Sequence, residues 1–302
     1  MSKVTQLHCS SSVIFFKEKI IKQLKLQSYS DKNKPVLFFG YYQSSSRDVP
    51  IYNSHKGKAI IMLAGSDISP YAPSYKKNYV ENIKFFKNMD KNKYRIITIS
   101  NFQSNILKKH NIPHENINIG WTMNLNVHPI PKGKSIYIYT SKGNHLYYGS
   151  LIYEEVIRRL QHKYNFIVAG STKIVSNSKK TLTEQLIQNY SNPFDAYKQC
   201  FIGLRLVPFD GNANTVKELG LCGIKVIHNG NDKNCIPWNY YHILFDNKIP
   251  LTNPDKAKAF KYAVDDIIIK IENESKTIGQ IDKKLSEEVK NNISFDDNFL
   301  YF

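Results

Sequence analysis

The sequence has few cysteines, no long apolar run and no histidine spacing typical of a metal site. Its four cysteines have neither CxxC spacing nor a regular framework: Cys9, Cys200, Cys222 and Cys235. Structural zinc and disulfides are therefore not predicted, and reduced thiols in a cytoplasmic setting are expected. No run approaches the ~20 apolar residues of a membrane-spanning helix, and the first apolar stretch is too short for a secretory signal. The nine histidines lack a motif such as HExxH, so no metal site is predicted.

Acidic residues are also scarce relative to basic ones. The chain has 42 Lys+Arg against 25 Asp+Glu, a net charge of +17, which is a balance found in nucleic-acid-binding proteins. The lysines, however, are spread along the whole chain among many asparagines and isoleucines. An AT-rich coding sequence, such as that of a large DNA virus or a parasite, produces the same pattern. We therefore favour a basic surface that attracts anionic ligands and predict no specific binding of nucleic acid.

Short apolar runs alternate with helical patterns in two series, separated by the proline-containing break VHPIPKGK at 127–134. The runs that predict strands are 35–40, 59–65, 94–100, 117–119, 135–141, 165–171, 200–208 and 224–229. The patterns that predict helices are 79–87, 103–110, 150–164, 181–190, 213–221, 259–272 and 281–292. Apolar runs that do not alternate indicate parallel strands covered on both faces. We predict an α/β protein with a first Rossmann-like domain over 1–130, a second over 131–255, and bracing helices over 256–302.

The segment 13–27 predicts a further, amphipathic helix. Its apolar face consists of Val13, Phe16, Ile20 and Leu24, and its lysines lie away from that face. Such a helix could lie on an anionic membrane surface. We favour packing of the stripe on the helix's own domain and keep peripheral contact with a membrane as the alternative.

The stretch VPFDGNANTVKELGLCGIKVI, at 207–227, carries the clearest chemical pattern. A strand ends in a turn of small residues, which lets backbone approach a ligand closely. The free amides at the start of the following helix suit an anion such as phosphate. Asp210 before the helix and Glu218 two turns into it would suit hydroxyl groups on either side of a diphosphate. An ordinary turn followed by an exposed acidic residue is the alternative.

These residues resemble the stretch E-G-x-G-x-x-x-x-E-A-x-A-x-G-x-P-V of retaining nucleotide-sugar glycosyltransferases of the GT-B fold, especially glycosyltransferase family 4 (group 1). Asp210 stands at the first acidic position, Glu218 at the second and Gly223 at the later glycine, while Ala213 replaces the second glycine. The resemblance covers residues 95–230 and is strongest over 200–230. It implies two facing Rossmann-like domains with parallel sheets and a cleft between them, with the acceptor on the first domain and the donor on the second.

The resemblance also implies the chemistry and the residues that perform it. A hexosyltransferase would move a sugar from a UDP- or GDP-linked donor to a hydroxyl of a glycan, glycoprotein or lipid-linked acceptor, with retention and without cofactor or metal. Asp210 would lie near the transferred sugar, Lys142 on the phosphates and Glu218 on the ribose. The other donor-binding residues would be Gly211, Asn212, Ala213, Asn214, Thr215, Ser141 and Arg205. The candidate acceptor or cleft residues, at the ends of first-domain strands, are Gly65, Ser66, Asp67, Ser100 and Asn101.

The chain departs from the family pattern at its basic residues. The second lysine, usually placed just before a glycine, is replaced by Tyr148 before Gly149. Arg205 or His145 would then share the stabilisation of the leaving group with Lys142. Three alternatives stay open at this point: a nucleotide-sugar epimerase of the same fold, a non-catalytic protein that binds polyanions, and an inactive transferase-like scaffold.

Overall fold

The computed structural model describes residues 2–70, 76–123, 127–140, 147–170, 192–208, 210, 212–238, 240, 243 and 253–302. These residues belong to two compact units. One unit comprises Met1–Thr122, Phe209–Ala213 and Ile293–Phe302, and the other comprises Met123–Pro208 and Asn214–Asn292. The chain therefore changes unit at 122/123, whereas the sequence placed the boundary at 130/131. The C-terminal part, predicted as a separate segment over 256–302, is divided between the two units.

The first unit contains a six-stranded sheet in which all neighbouring strands are parallel. In the spatial order β2-β1-β3-β4-β5-β6, its strands are β1 Gln6–Cys9, β2 Gln27–Ser28, β3 Val36–Phe39, β4 Ala59–Met62, β5 Tyr94–Thr98 and β6 Glu115–Asn116. Its helices are α1 Lys17–Leu24, α2 Val49–Ser54, α3 Lys76–Asn88 and α4 Asn101–Lys109, with 3-10 segments at Ser11–Phe16, Ser66–Ile68 and Asn298–Leu300.

Both faces of this sheet are covered, which explains its apolar strand sequences. Leu37 and Phe39 of β3 belong to the core on one face. Val36 and Phe38 of the same strand belong to the core on the other face. Because successive side chains point to opposite faces of a sheet, burial on both faces requires apolar residues at every position.

The second unit contains a five-stranded sheet, also parallel throughout. In the spatial order β11-β10-β9-β7-β8, its strands are β7 Ser135–Tyr139, β8 Asn165–Ala169, β9 Cys200–Leu204, β10 Lys225–Ile227 and β11 Cys235–Ile236. Its helices are α5 Ser150–Leu160, α6 Pro193–Tyr197, α7 Asn214–Leu221, α8 Pro254–Ser275 and α9 Lys283–Asn291. The apolar faces of α5 and α8 join the strands in one core. No helix in the described part of either unit is long and apolar enough to cross a membrane.

The predicted strands are confirmed except 117–119, since the structure places β6 two residues earlier. The predicted helices are confirmed with shifted ends, apart from 181–190, which lies outside the described residues. Strand β1 was missed because Gln6 and His8 interrupt its apolar pattern. Gln6 is nevertheless buried, since its side-chain oxygen accepts hydrogen bonds from the amides of Ser30 and Asp31, both at 2.9 Å.

The predicted N-terminal helix divides into the 3-10 segment and α1. Ile20 and Leu24 are buried in the core of the first unit, and Phe16 packs against that core. The apolar stripe therefore packs on its own unit, as favoured from the sequence.

The break at 127–134 is held closely to the second unit. The amide of Lys132 donates to the carbonyl of Gln280 at 3.0 Å, and the amide of Gly133 donates to that of Cys200 at 3.0 Å. A Cβ atom at Gly133 would lie 2.1 Å from the backbone of Gln199, so glycine is required by close approach. This segment is thus held to the second unit by backbone hydrogen bonds.

An ion cluster fastens the same segment to α8. The buried Lys132 side chain donates to Thr277 at 3.0 Å and lies 3.7 Å from Glu274, which also pairs with Lys225 at 2.7 Å. Burial lowers the pKa of Lys132 even though the carboxylate of Glu274 raises it. The carboxylate of Glu274 therefore compensates the positive charges of two lysines, and the side chain of Lys132 is almost wholly removed from water.

We expect Glu274→Gln to lower the free energy of unfolding by about 3 kcal/mol, because breaking a buried ion pair leaves an uncompensated charge. Chemical denaturation of the whole chain measures the change. Glu272→Gln is the matched control on α8: its partner Lys163 is 47% exposed, so its loss should cost less than about 1 kcal/mol. Equal effects of the two substitutions would contradict a structural role for the cluster.

Candidate active site

The second sheet has a reversal in strand order between β7 and β9. From β7 the chain adds β8 on one side, and then β9, β10 and β11 follow on the other. Loops diverge at such a point, and ligands of open parallel sheets bind at the carboxyl ends of the strands there. Ile138 pairs with Leu204 near the ends of the two strands. The residues that follow, Tyr139 on β7 and Arg205 after β9, therefore lie at this place.

Arg205 is a positively charged side chain at this place. Its guanidinium carbon lies 4.4 Å from the ring centre of Tyr139 and 5.5 Å from that of Tyr148. Both distances are within the range of a cation–π interaction, which is stronger where water is excluded. Arg205 is only 8% exposed. Tyr148, which occupies the position of the family's second lysine, thus contributes an aromatic face to a different cation.

The backbone at Arg205 is held by buried side chains. The hydroxyl of Tyr153 accepts a hydrogen bond from the amide of Leu206 at 2.7 Å and lies 3.4 Å from the carbonyl of Tyr139, to which it donates. Tyr153 is fully buried, and burial raises its pKa. On the other side, the ring of His228 lies 2.9 Å from the carbonyl of Arg205 through Nδ1. The end of β9 is therefore fixed to both neighbouring strands.

Glu218 lies on α7, the helix that follows the end of β9. It is 7% exposed, and the buried hydroxyl of Tyr197 donates to its Oε2 at 2.8 Å. Burial, together with the charge of Glu218, raises the pKa of Tyr197 well above its ordinary value. The hydroxyl therefore keeps its proton at neutral pH and holds one carboxylate oxygen in place.

Glycines allow α7 to pack where it does. A Cβ atom at Gly203 of β9 would lie 2.7 Å from Cδ1 of Leu219, so glycine leaves room for this side chain of α7 against the strand. Gly223, at the family's later glycine position, has a φ of +79°, and a Cβ atom there would lie 2.7 Å from the carbonyl of Asp282. It ends α7 in the left-handed conformation that glycine adopts without strain.

The remaining donor-site candidates are divided between the units. Asn214 and Thr215 are half-buried at the first turn of α7 in the second unit, whereas Asp210, Asn212 and Ala213 belong to the first unit. The side-chain amide of Asn212 lies 3.5 Å from the carbonyl of Ile119 and 3.5 Å from the hydroxyl of Thr122. Three predicted residues, and His145 with them, lie outside the described residues: Lys142, Ser141 and Gly211.

Among the acceptor-side candidates, Asp67 acts on the backbone. Its carboxylate is fully buried and accepts hydrogen bonds from the amides of Tyr41, Ala64 and Gly65 at 2.9–3.0 Å. These bonds hold Gly65 at a φ of +121°, in a conformation that only glycine adopts readily. Ser66 lies 2.9 Å from the hydroxyl of Tyr42. Asp67 is thus the anchor of the turn after β4, which removes its carboxylate from contact with a ligand.

The other two acceptor-side candidates lie at the start of α4. The hydroxyl of Ser100 caps the helix by accepting from the amide of Gln103 at 3.3 Å. Asn101 is exposed, and its side-chain oxygen accepts from Asn116 at 2.7 Å. Ser100 therefore has a capping role, while Asn101 faces solvent.

Sequence analysis missed a polar cluster around Asp48. The first sheet reverses its strand order between β1 and β3, and Asp48 accepts there from the hydroxyls of Ser10, Ser11 and Ser45 at 2.6–2.9 Å. Burial would raise the pKa of Asp48, but these hydrogen bonds outweigh it and lower the pKa. The three serines could have indicated the cluster only if β1 had been recognised, because that strand positions Ser10 and Ser11.

No group of three or more His, Cys, Asp or Glu side chains that could hold a metal ion occurs among the residues that the structure describes. Arg205 is a cationic side chain that the structure describes at the β7–β9 reversal.

The sequence matches no known family profile and no curated protein, but the structure matches solved structures. With TarM the TM-score is 0.54 at 13% identity, over 93% of this chain and 55% of that one. With the pneumococcal O-GlcNAc transferase GtfA, in complex with UDP and GlcNAc, it is 0.53 at 13% identity, over 92% and 56%. With WaaG, a glycosyltransferase involved in lipopolysaccharide biosynthesis, it is 0.54 at 8% identity, over 97% and 96%.

The chain thus spans little more than half the length of TarM and GtfA and nearly the whole length of WaaG. Identities this low establish the fold alone. The chain has the GT-B fold, and the predicted fold class is confirmed.

The buried carboxyl of Asp67 gives a prediction on pH. Burial raises its pKa from 3.8 to about 6, so the native state binds a proton there more tightly than the unfolded state does. The resulting stability is full below pH 3.8 and is lost as the pH rises through 6. Relative to Asp67→Asn, the wild type should lose about 3 kcal/mol of unfolding free energy across this range.

Chemical denaturation at a series of pH values measures this difference. The control is Asp195→Asn, whose carboxylate is 51% exposed and which should keep the pH dependence of the wild type. If the free energy of unfolding depends on pH in the same way for the wild type and for Asp67→Asn, this carboxyl does not titrate in the native protein.

Proposed function

We propose that this chain is a glycosyltransferase that moves a sugar from a nucleoside-diphosphate sugar to a hydroxyl acceptor. The observation that carries the proposal is the buried guanidinium of Arg205 at the strand reversal between β7 and β9. It is supported by Glu218, which Tyr197 holds in place on the next helix, and by the GT-B fold. The proposal agrees with the functions of GtfA, an O-GlcNAc transferase, and WaaG, a glycosyltransferase.

The diphosphate of the donor would bind to Arg205 and to the first turn of α7. Guanidinium groups suit phosphate because their planar donors match two oxygens at once. The amides of a helix N-terminus add partial positive charge, and Asn214 and Thr215 stand there. A preorganised positive charge stabilises the leaving diphosphate as its negative charge develops. The sequence resemblance assigns further residues to the diphosphate: Lys142, Ser141 and the amides of Gly211 to Ala213.

The ribose of the donor would bind to Glu218. A carboxylate accepts hydrogen bonds from two neighbouring hydroxyls, and a buried one discriminates strongly because an unmade hydrogen bond is costly there. Tyr197 would act as a positioning residue, since its hydroxyl fixes Oε2 of Glu218. Asp210 is assigned to the transferred sugar by the resemblance. The base of the donor is uracil or guanine, and a thermal-shift panel of nucleotides distinguishes the two.

The reaction would proceed with retention at the anomeric carbon. The acceptor oxygen forms a bond to this carbon on the face from which the bond to the diphosphate oxygen breaks. The acceptor proton passes to the leaving phosphate, so no protein nucleophile is required. Arg205 would carry the charge of the leaving group without a metal ion. Water must be excluded during the reaction, because hydrolysis of the donor competes with transfer.

The first test is a thermal-shift panel of nucleoside diphosphates and nucleotide sugars. A ligand at ~100 times its dissociation constant should stabilise the wild type by about 2.7 kcal/mol. Glu218→Gln should bind the same ligand roughly 10–100-fold more weakly, because a hydrogen bond to a charged group is worth about 1.5–3 kcal/mol. Arg205→Lys should also weaken binding, since an ammonium keeps the charge but not the planar fork.

Tyr197→Phe and Glu272→Gln complete the panel. Tyr197→Phe should weaken nucleoside diphosphates that contain ribose but leave inorganic diphosphate unaffected. Glu272, half-buried on α8, is the matched control and its variant should bind like the wild type. A panel in which no nucleotide shifts the wild type, while polyanions do, would favour the basic binding protein over the transferase.

The stereochemistry and metal dependence give a separate prediction. With the donor identified and a hydroxyl acceptor found, NMR of the product should show the anomeric configuration of the donor, and EDTA should leave the rate unchanged. An inverted product would contradict retention. Loss of activity with EDTA, restored by a divalent cation, would contradict the metal-independent assignment. Conversion of the donor sugar in the absence of any acceptor would identify an epimerase instead.

A further inference from the structure

The 3-10 segment Ser11–Phe16 presents two large apolar side chains to solvent. Phe15 is 72% exposed and Ile14 is 50% exposed. They are neighbours in the chain, and Phe15 is the most exposed of the large apolar side chains in the part of the chain that the structure describes. The face that the sequence predicted as apolar is the buried one, so this exposed pair is a separate feature. We call Ile14 and Phe15 the apolar tip.

The apolar tip is supported from the core of the first unit. The ring of Phe15 lies 4.2 Å from the ring of Phe16, centre to centre, and Phe16 packs edge-to-face on Phe39 of β3 at 6.0 Å. Phe39 is buried. A row of three aromatic rings thus leads from the core to the surface. Exposure of Phe15 is therefore built into the packing, and little conformational entropy remains to be lost when the tip is covered.

Basic side chains follow the tip along α1. Lys22 and Lys25 are exposed and Lys17 is half-buried, while Glu18 is the one acidic residue between Ser11 and Lys25. The whole chain carries a net charge of +17. A second copy of this chain would meet this surface with charge of the same sign. An anionic lipid surface complements both the apolar tip and the lysines. It accepts apolar side chains below the headgroups, and it attracts lysines at the level of the headgroups.

The position of the tip relates it to the ligand-binding edge of the first sheet. Ser10 and Ser11 follow β1 directly, and β1 forms one side of the strand reversal at which Asp48 gathers three serines. Ligands of parallel sheets bind at this edge. A surface that covers the tip therefore lies next to the place where the first unit would meet a ligand.

We propose that the first unit docks on the surface of an anionic phospholipid bilayer by inserting Ile14 and Phe15 between the headgroups, with Lys22 and Lys25 on the lipid phosphates. Docking is peripheral and reversible, because apolar insertion of two side chains is combined with screened electrostatic attraction. The inference does not depend on donor chemistry and goes beyond the proposed function.

Co-sedimentation of the full chain with vesicles tests this proposal. The wild type should bind vesicles of phosphatidylcholine with added phosphatidylserine and should bind phosphatidylcholine alone weakly or not at all. Ile14→Ser with Phe15→Ser should reduce the affinity by at least about tenfold, because it removes the inserted apolar area. The double variant Lys22→Gln with Lys25→Gln should have an affinity for these vesicles that is lower by about fivefold for each lysine. Added salt should weaken the binding of the wild type in the same way.

The matched control is Val80→Ser on α3 of the same unit, since Val80 is 55% exposed; it should bind like the wild type. Unchanged melting temperatures show that the substitutions act on binding alone. The proposal is overturned if the wild type does not bind anionic vesicles, or if the double serine variant binds as well as the wild type. A shift from dimer to monomer in the serine variant, by sedimentation velocity, would assign the tip to a second copy and overturn it too. The donor panel is independent, so either proposal can fail alone.

Discussion

The hydroxyl of Tyr153 joins two strands that are distant in the chain but adjacent in the second sheet. It lies on α5, accepts from the backbone just after β9 and donates to the end of β7. The ring of Tyr139 and the guanidinium of Arg205 meet because these two strand ends are held in register. Tyr153 is buried and lacks competing water, which makes its hydrogen bonds costly to break. Tyr153 thus holds the strand ends that carry the electrostatic part of the candidate site.

The buried carboxylates of this protein are used in different ways. Asp67 is surrounded by backbone amides and holds the turn after β4. Asp48 is surrounded by serine hydroxyls and ties the loops after β1 and β3 together. Glu218 accepts from a tyrosine hydroxyl on a neighbouring helix. The first two shape the loops at the edge of the first sheet, whereas Glu218 stands beside the strand reversal that carries Arg205. Only geometry separates these roles, because all three side chains are carboxylates.

Aromatic side chains hold other groups in place in both units. Tyr148, which the sequence resemblance places at the second lysine of the family pattern, contacts Arg205 with its ring. Two tyrosine rings beside one guanidinium fix its orientation at a buried position. At the surface of the first unit, the rings of Phe39 and Phe16 likewise support the exposed ring of Phe15. In both places, stiff rings set the position of a group that a flexible chain would leave mobile.

The sequence alone determined the fold class and most of the elements. Apolar runs without alternation are typical of strands in a covered parallel sheet, and 59–65 and 94–100 predicted β4 and β5 on this basis. The motif at 207–227 predicted α7 and indicated Glu218. The turn of small residues between strand and helix can be recognised from neighbouring residues alone. Gly223 likewise has a local requirement, a positive φ. These features depend on near neighbours in the chain, and such features can be read from one sequence.

Tertiary structure alone decided the features that join distant segments. Tyr153 and Tyr197 belong to no motif in the sequence, and their partners lie 53 and 21 residues away. Asp67 and Asp210 both follow apolar runs, yet Asp67 is turned inward by three amides. The break at 127–134 has the composition of a linker but is hydrogen-bonded to the second unit. Pairing of groups far apart in the chain follows from packing, and packing is settled only when the whole core has formed.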